Sequence, residues 1–231
     1  MAFKIALSAG HGRYTQGKRC LKSLDANETR EWVLNDRIVD KVEKLLHQYT
    51  GWQLLRTDDT SGEIDISLRT RTTAANKFGA DIYISVHHNA GINGGLGGGI
   101  EAYVYSGNVS ADTLAWQKSL YDELIKNTGL KGNRSNPLRR SDLYECRMTS
   151  MPAVLLELGY MDSSTDVPVI LSESFADKCA EAIVEVLVKR GGLSRKASAL
   201  YTVQVGAYSS ISGAKSMLEK LRAAGFEGFI K

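Results

Sequence analysis

Hydrophobic positions along the chain follow two patterns, short apolar runs and longer stretches with helical spacing. The short runs predict strands at 4–9, 52–56, 81–86, 100–105 and 153–158, and an edge strand at 142–147. The helical spacing predicts helices at 31–47, 68–78, 110–127 and 172–190. Strands that alternate with helices indicate an α/β fold in which helices flank a mostly parallel, twisted sheet.

Two segments interrupt this pattern. Residues 13–30 are polar and without regular periodicity, and loops of that length are often functional. Residues 91–99 contain six glycines, so we expect an irregular loop that is able to move. Both segments come after predicted strands, where open α/β sheets bind their ligands.

The C-terminal part of the chain differs from the rest in composition and periodicity. Residues 191–199 are small, basic and without periodicity, which is typical of a linker. Beyond them, an alternating run through Tyr201, Val203 and Val205 precedes a helical pattern and a final short strand that ends at Ile230. We therefore predict three parts, which are a main domain over 1–190, a linker over 191–199 and a small βαβ-like unit over 200–231.

Composition and charge exclude several classes of protein. The chain has 231 residues, 43% of them apolar, and its 29 basic and 26 acidic residues give a formal charge of only +3. No run of like charges offers a surface for nucleic acid, and no run of about 18 apolar residues could cross a bilayer. The first residues lack the pattern of a secretion signal. We expect a globular protein, synthesised in the cytoplasm, that binds no nucleic acid and spans no membrane.

Four polar residues stand out against this background. His11 and His87 each follow a predicted strand, and Glu157 lies near the end of another. In an open α/β sheet, the carboxyl ends of the strands form the usual ligand site. Glu31 opens a helix on its apolar face, where a buried carboxylate is costly unless a cation or strong donors meet it.

These residue types together indicate a metal-dependent hydrolase. Two imidazoles and one carboxylate, with a fourth position open to water, are the usual protein ligands of a catalytic zinc ion. The remaining carboxylate is then the natural general base. A single histidine at a strand end is more often structural than functional, so only the combination is informative.

Other polar residues nearby have simpler explanations. Glu28 stands three residues after Asp25, which is the spacing of a capping box at the start of a helix, so we prefer Glu31 as the functional carboxylate. His88 follows His87 on the same predicted strand, so its side chain should point to the opposite face of the sheet. His88 therefore belongs to the surroundings of the site at most.

Several segments, in their order and spacing, resemble one known family. They are SAGHG at 8–12, EWVLN at 31–35, SLRTRTTAANKFGADIYISVHHNA at 67–90, GGIEAYVY at 98–105 and MPAVLLELGYMD at 151–162. Through them, residues 3–190 are similar to the zinc-dependent N-acetylmuramoyl-L-alanine amidases of bacterial autolysins and phage endolysins, which cut peptidoglycan. The resemblance implies three zinc ligands and one catalytic glutamate, which are His11, Glu31, His87 and Glu157 in that order.

The resemblance also implies a reaction. Zinc-activated water would hydrolyse the amide bond between N-acetylmuramic acid and L-alanine, with Glu157 as general base, and Arg140 is a candidate cation for the oxyanion. Ser8, Ala9 and Asp162 depart from the Asp-Pro and Asn that are frequent in the family, which affects the surroundings of the metal and not its ligands. Two alternatives stay open, a zinc peptidase acting on the stem peptide and an inactive cell-wall-binding protein.

The tail, residues 201–230, resembles the first half of a SPOR repeat, a module that binds peptidoglycan glycan stripped of its stem peptides. A fragment of about 30 residues has too little core to be stable alone. The two resemblances together imply that the protein acts on the cell wall. A protein synthesised in the cytoplasm would reach the wall after lysis or by holin-type release.

Overall fold

A six-stranded sheet forms the centre of the fold. The structure, a computed structural model, describes residues 2–197 and 204–230. The strands in these ranges are β1 Phe3–Ala9, β2 Tyr49–Thr50, β3 Trp52–Arg56, β4 Ile82–Asn89, β5 Ile100–Tyr105, β6 Leu138–Ser141, β7 Ala153–Tyr160 and β8 Ser194–Arg195. Six of them form the sheet in the order β3-β1-β4-β7-β5-β6, and β2 pairs with β8 separately.

Strand direction changes once across this sheet. Strands β3, β1, β4 and β7 are parallel, whereas β5 is antiparallel to β7 and β6 is parallel to β5. The carboxyl ends of β1, β4 and β7 therefore meet at one edge of the sheet, next to the amino end of β5. The predicted α/β class with a mostly parallel sheet is confirmed.

Helices cover both faces of the sheet. The helices in the described ranges are α1 Glu31–Leu46, α2 Leu68–Phe78, α3 Ala111–Thr128, α4 Tyr144–Met148, α5 Val167–Ile170, α6 Glu173–Gly191 and α7 Ile211–Ala223. Helices α1, α3 and α6 pack on one face, where large side chains such as Ile5, Leu7 and Ile84 are fully buried. Helices α2 and α4 lie over the other face. The apolar cluster there is smaller and includes the small side chains of Ala6 and Ala75. Burial of each large aliphatic side chain contributes about 1.5–3 kcal/mol, so the first face supplies most of the core.

Capping residues explain why the helix bounds could be predicted from the sequence. A serine begins each of α2, α3 and α6 and accepts a hydrogen bond from the backbone N–H three residues further on. A glycine with a left-handed backbone ends each of these helices. The serines are Ser67, Ser110 and Ser172, and the glycines are Gly79, Gly129 and Gly192.

The predicted edge strand at 142–147 is wrong. The strand is β6, Leu138–Ser141, and the following residues form the short helix α4. Strand β6 pairs with β5 only as far as the register pair Ser141 and Tyr105, where β5 ends. Among the described residues, no strand lies next to the chain beyond 141, and the helix buries Glu145 and Cys146 instead.

The predicted linker begins too early. Helix α6 extends to Gly191, Leu193 is buried, and Ser194–Arg195 pairs with Tyr49–Thr50 as a short ribbon. Two compact units result, the first ending at Lys196 and the second beginning at Ala197. The apolar side chain at 193 and the backbone pairing at 194–195 fix these residues to the first unit.

In its described residues, the second unit contains the predicted helix but not the predicted final strand. Helix α7 begins at Ser210, whose side chain accepts a hydrogen bond from Gly213 N. Among the residues that the structure describes, no strand is found within 224–230. The predicted strand at 201–205 lies mostly outside the described residues. No helix in the described ranges is both long and apolar enough to cross a membrane.

Candidate metal centre

His11 stands at the carboxyl end of β1 in a left-handed conformation. Its φ is 65°, which is uncommon for a residue other than glycine. Arg71, which is 1% exposed, holds this turn because its guanidinium donates to the carbonyl oxygens of Ala9 and His11 at 2.6 and 2.9 Å. Gly10 lies so close to the His87 ring that the ring occupies the space a Cβ would need. The glycine and the arginine thus fix the position of His11.

Glu31, the first residue of α1, carries a buried carboxylate. Its Oε1 lies 3.1 Å from His87 Nδ1 and 3.4 Å from His11 Nε2, and it accepts a hydrogen bond from the His88 backbone N–H. Burial alone would raise the pKa of Glu31, but the two histidine rings and Lys18 outweigh burial and lower the pKa to about 2. Glu31 is therefore ionised at neutral pH.

The arrangement of these three side chains fits a zinc ion. One nitrogen or oxygen atom from each of His11, Glu31 and His87 lies within 4.8 Å of the other two. Atoms bound to a tetrahedral zinc at about 2 Å are roughly 3.3 Å apart, close to the two distances above. The buried Glu31 Oε2 has no hydrogen-bond partner in the described part of the chain, and Lys18 Nζ stays 3.8 Å away. A buried carboxylate oxygen without a donor indicates that a cation belongs there.

Glu157 lies on β7 directly beside His87. The two residues are register partners in the parallel β4–β7 pair, so their side chains leave the same face of the sheet. Among the residues that the structure describes, no donor reaches the buried Glu157 Oε2. Burial, opposed by the charge of His87, raises the pKa of Glu157 to about 8. Its proton affinity is thus higher than that of an exposed glutamate, which suits a group that accepts and returns a proton.

Glu145 is a second buried carboxylate at this site, and the sequence does not single it out. It lies in α4 and is 3% exposed, and its Oε2 is 3.8 Å from His87 Nε2. The residue falls in the segment predicted as an edge strand, and no motif surrounds it. Only the contact between α4 and β4 reveals its relation to His87.

His88 lies on the other face of the sheet, against α1. Its Nδ1 is 2.8 Å from Asn35 Oδ1, and the Asn35 side chain donates to Gly10 O at 3.1 Å. Burial lowers the pKa of His88 to about 3, so its ring is neutral. His88 therefore links α1 to the two strands that hold the histidines of the centre.

The structure does not place Glu28 at the site, and the capping role expected of Asp25 is wrong. Helix α1 begins after Arg30, without a side-chain cap. Asp25 instead closes a local turn, because its carboxylate accepts from the backbone N–H groups of Asn27 and Thr29. Glu28 pairs with Arg19 Nε at 3.0 Å.

Arg140 is also far from the predicted chemistry. On β6 it is level with Val104 of β5, whereas Glu157 is level with Glu101 at the start of β5. Its guanidinium donates to the backbone oxygen of Gly107 at 2.7 Å. The suggestion that Arg140 stabilises the oxyanion is therefore wrong, because the antiparallel direction of β5 places it toward the opposite edge of the sheet.

The surroundings of Glu157 on its other side are polar. Glu101, its register partner on β5, is 2% exposed and accepts hydrogen bonds from Tyr160 Oη at 2.5 Å and Asn89 Nδ2 at 3.1 Å. Arg139 Nε lies 3.6 Å from Glu101 Oε1. On the far side of the histidines, a cavity of about 360 Å³ opens between His11, His87 and residues 65–68. The rings of His11 and His87 thus border open space on this side.

The glycine-rich loop 91–99 is fastened by two aspartates. Asp162 Oδ2 accepts hydrogen bonds of 2.7–2.8 Å from three consecutive backbone N–H groups, those of Gly91, Ile92 and Asn93. Asp166 Oδ2 accepts from Gly99 N at 2.7 Å, and a Cβ on Gly99 would meet the backbone of Gly132. The sequence predicts a loop able to move, whereas these glycines allow close backbone approach. The negative charge of Asp162 suits an oxygen that accepts three hydrogen bonds from backbone N–H groups.

Comparison with known proteins identifies the family. The model of the N-acetylmuramoyl-L-alanine amidase family matches residues 5–189. The chain belongs to this amidase family. The assignment made from the motifs is thereby confirmed, together with N-acetylmuramoyl-L-alanine amidase activity as the activity of the enzyme.

Curated relatives agree with this membership. The chain is 31% identical over 229 residues to an N-acetylmuramoyl-L-alanine amidase of Bacillus licheniformis, which covers 98% of the chain and 84% of the relative. A sporulation-specific N-acetylmuramoyl-L-alanine amidase of Bacillus subtilis is 30% identical over 231 residues, with the same coverage of 98% and 84%. An endolysin of Bacillus phage SPP1 is 30% identical and covers 85% of the chain and 69% of the endolysin.

Solved structures of amidases share the fold. The crystal structure of an amidase from Clostridium difficile matches with a TM-score of 0.71 at 23% identity, covering 81% of this chain and 96% of that one. An amidase of Nostoc punctiforme matches with a TM-score of 0.69 at 26% identity and the same coverage. A SPOR domain model matches residues 197–231, which confirms the resemblance noted for the tail.

Proposed function

We propose that this amidase binds one zinc ion through His11, Glu31 and His87 and uses Glu157 as its general base. The observation that supports the proposal most directly is the convergence of three ligand atoms within 4.8 Å, next to the register partner of His87. When bound, zinc supplies a Lewis acid that polarises a carbonyl group and lowers the pKa of water to about 7.

Two carboxylates have separate roles in this proposal. Glu157 takes a proton from the attacking water, because burial raises the proton affinity of its carboxylate above that of an exposed glutamate. It then protonates the nitrogen of L-alanine as the amide bond breaks. Glu31, with a pKa of about 2, stays ionised and is suited to hold a cation rather than to carry a proton.

A digest of defined muropeptides tests the reaction. The purified protein, loaded with zinc, is incubated with a soluble muramyl peptide, and the products are analysed by mass spectrometry. We expect free N-acetylmuramic acid and a peptide whose N-terminal residue is L-alanine. Cleavage inside the stem peptide would make the protein a zinc peptidase, and an absence of products would make it a cell-wall-binding protein without activity.

We further propose that residues up to Lys196 form the catalytic domain and that the SPOR-like tail binds the glycan of the cell wall. The match of the SPOR model to residues 197–231 supports a wall-binding role. In the described part of the tail, α7 has no buried residue, and Ile211, Phe226 and Phe229 are exposed. The tail thus has apolar surface available for contact.

Ending the chain at Lys196 tests this division. Leu193 and the paired residues at 194–195 are kept, because they belong to the first unit. We expect zinc binding and hydrolysis of soluble muropeptides to be nearly unchanged, while hydrolysis of intact cell walls decreases. An equal loss on both substrates would show that the tail supports the catalytic domain, and no loss on either would show that the tail does not bind the wall.

A further inference from the structure

Glu145 has no role in the reaction proposed above, yet it is buried among polar groups. The phenol of Tyr83 donates to its Oε1, and the Ser85 hydroxyl lies 3.4 Å from each of its two oxygens. Both Tyr83 and Ser85 are on β4, on the same face as His87. A carboxylate at 3% exposure is costly without such partners, so its position is specified by the fold.

The two ring nitrogens of His87 face different partners. Nδ1 points to Glu31, at 3.1 Å from Oε1. Nε2 points away from Glu31, at 3.1 Å from Ser85 Oγ and 3.8 Å from Glu145 Oε2. A neutral imidazole that offers Nδ1 to a metal must carry its proton on Nε2, and that proton needs an acceptor.

Ser85 can supply this acceptor only if its own proton has somewhere to go. A hydroxyl group accepts at its lone pair and donates its single O–H, and Glu145 offers two acceptor oxygens, each 3.4 Å from Ser85 Oγ. Each group in this hydrogen-bond chain thus has a defined role. His87 Nε2–H donates to Ser85 Oγ, and the Ser85 hydroxyl donates to Glu145. The carboxylate at the end accepts only, and this fixes the direction of both hydrogen bonds.

We propose that Glu145 is a positioning residue which, through Ser85, holds His87 in the orientation and tautomer that present Nδ1 to zinc. The inference rests on the proposed zinc site. The phenol of Tyr83 donates to Glu145 Oε1, and in the described part of the chain no hydrogen bond joins Tyr83 to His87, so Tyr83 connects α4 to the sheet outside this series of hydrogen bonds. That difference separates a positioning role of Glu145 from a purely structural one.

The test compares three variants by zinc affinity. Glu145→Gln and Ser85→Ala interrupt the chain to His87, whereas the matched control Tyr83→Phe removes a bond of Glu145 outside it. Zinc dissociation constants are measured by competition with a chelator, and the visible spectrum of the cobalt-loaded protein reports the geometry of the ligands. We expect Glu145→Gln and Ser85→Ala to weaken zinc binding by about 10–100-fold and to change the cobalt spectrum. Tyr83→Phe keeps the imidazole, the hydroxyl group and the carboxylate of this series, so its effect on zinc affinity and on the spectrum should be smaller than that of either variant.

Other outcomes overturn the inference. Wild-type zinc affinity in Glu145→Gln and Ser85→Ala, or an equal loss in Tyr83→Phe, would assign Glu145 a structural role. Circular dichroism of the metal-free variants checks that each one folds. If Glu145→Gln does not fold, the zinc affinity of Ser85→Ala decides the question. A wild-type protein that binds no stoichiometric zinc would instead refute the proposed metal site itself, and this inference with it.

Discussion

The two sides of the metal centre are held in different ways. On the ligand side, which consists of His11, Glu31 and His87, each group has partners that fix its position, such as Arg71 on the His11 carbonyl. On the base side, Glu157 is placed by strand register alone, and its Oε2 has no partner in the described part of the chain. A metal ligand gains from being fixed before the ion binds, whereas a general base must exchange a proton. The difference indicates that the ligand side holds its atoms at fixed positions for a metal ion, whereas the base side is suited to proton transfer.

Removing a ligand gives the largest effect. His11→Ala or His87→Ala should abolish both stoichiometric zinc and activity, because two remaining protein ligands do not hold a catalytic zinc. Metal content is measured after dialysis. The control is His47→Ala, since His47 is an exposed residue at the end of α1. Full activity in a metal-free His87→Ala protein would refute the assignment of the ligand side.

Changing the base should separate the two sides. Glu157→Gln keeps the size of the side chain but cannot accept a proton, so zinc should remain while turnover falls by about 100- to 10,000-fold. Zinc content and kcat are measured on the same preparation. Loss of zinc in this variant would make Glu157 a ligand, and the two sides would no longer differ.

Weakening the support of His11 should produce an intermediate effect. Arg71→Lys keeps the charge but cannot reach Ser8 Oγ and the backbone oxygens of Ala9 and His11 together. We expect the free energy of unfolding of the metal-free protein to fall by about 2–4 kcal/mol, measured by urea denaturation. Arg69→Lys, at an exposed position of the same helix, is the matched control. Equal stability of the two variants would show that Arg71 does not hold the turn.

The smallest effect is expected at Glu28. Its ion pair with Arg19 is partly exposed, and pairs of this kind contribute about 0–1 kcal/mol. Glu28→Ala should therefore keep its zinc, and its unfolding free energy should change by no more than that amount. If zinc is lost from Glu28→Ala and retained in Glu31→Ala, our choice between the two carboxylates is wrong.

Much of the fold could be predicted because its signals are local. Apolar periodicity, serine caps and glycine ends are read within a few residues, and they give the bounds of α2 and β5 without error. The four candidate site residues were also accessible, because their positions at strand ends and on an apolar helix face are visible in the sequence. Their roles as ligands and base stay predictions.

The errors at β6 and Arg140, and the omission of Glu145, share a physical cause, which is contact between distant parts of the chain. The end of β6 depends on where β5 stops, and the role of Arg140 depends on the direction of β5. Glu145 meets His87 only when α4 packs on the sheet against β5 and β7. No local pattern encodes these contacts, so the sequence alone predicts neither the helix at 144–148 nor its buried carboxylate.

The loop at 91–99 has a consequence for engineering. Glycine-rich surface loops are attractive places to insert a tag or a second domain, since they are assumed to tolerate extra length. Here Asp162 binds three consecutive backbone N–H groups of the loop, and the backbone of Gly132 fills the space beside Gly99. An insertion would draw the loop away from both, beside the strand that carries Glu157. This loop is therefore a poor insertion point, despite a composition that is typical of a spacer.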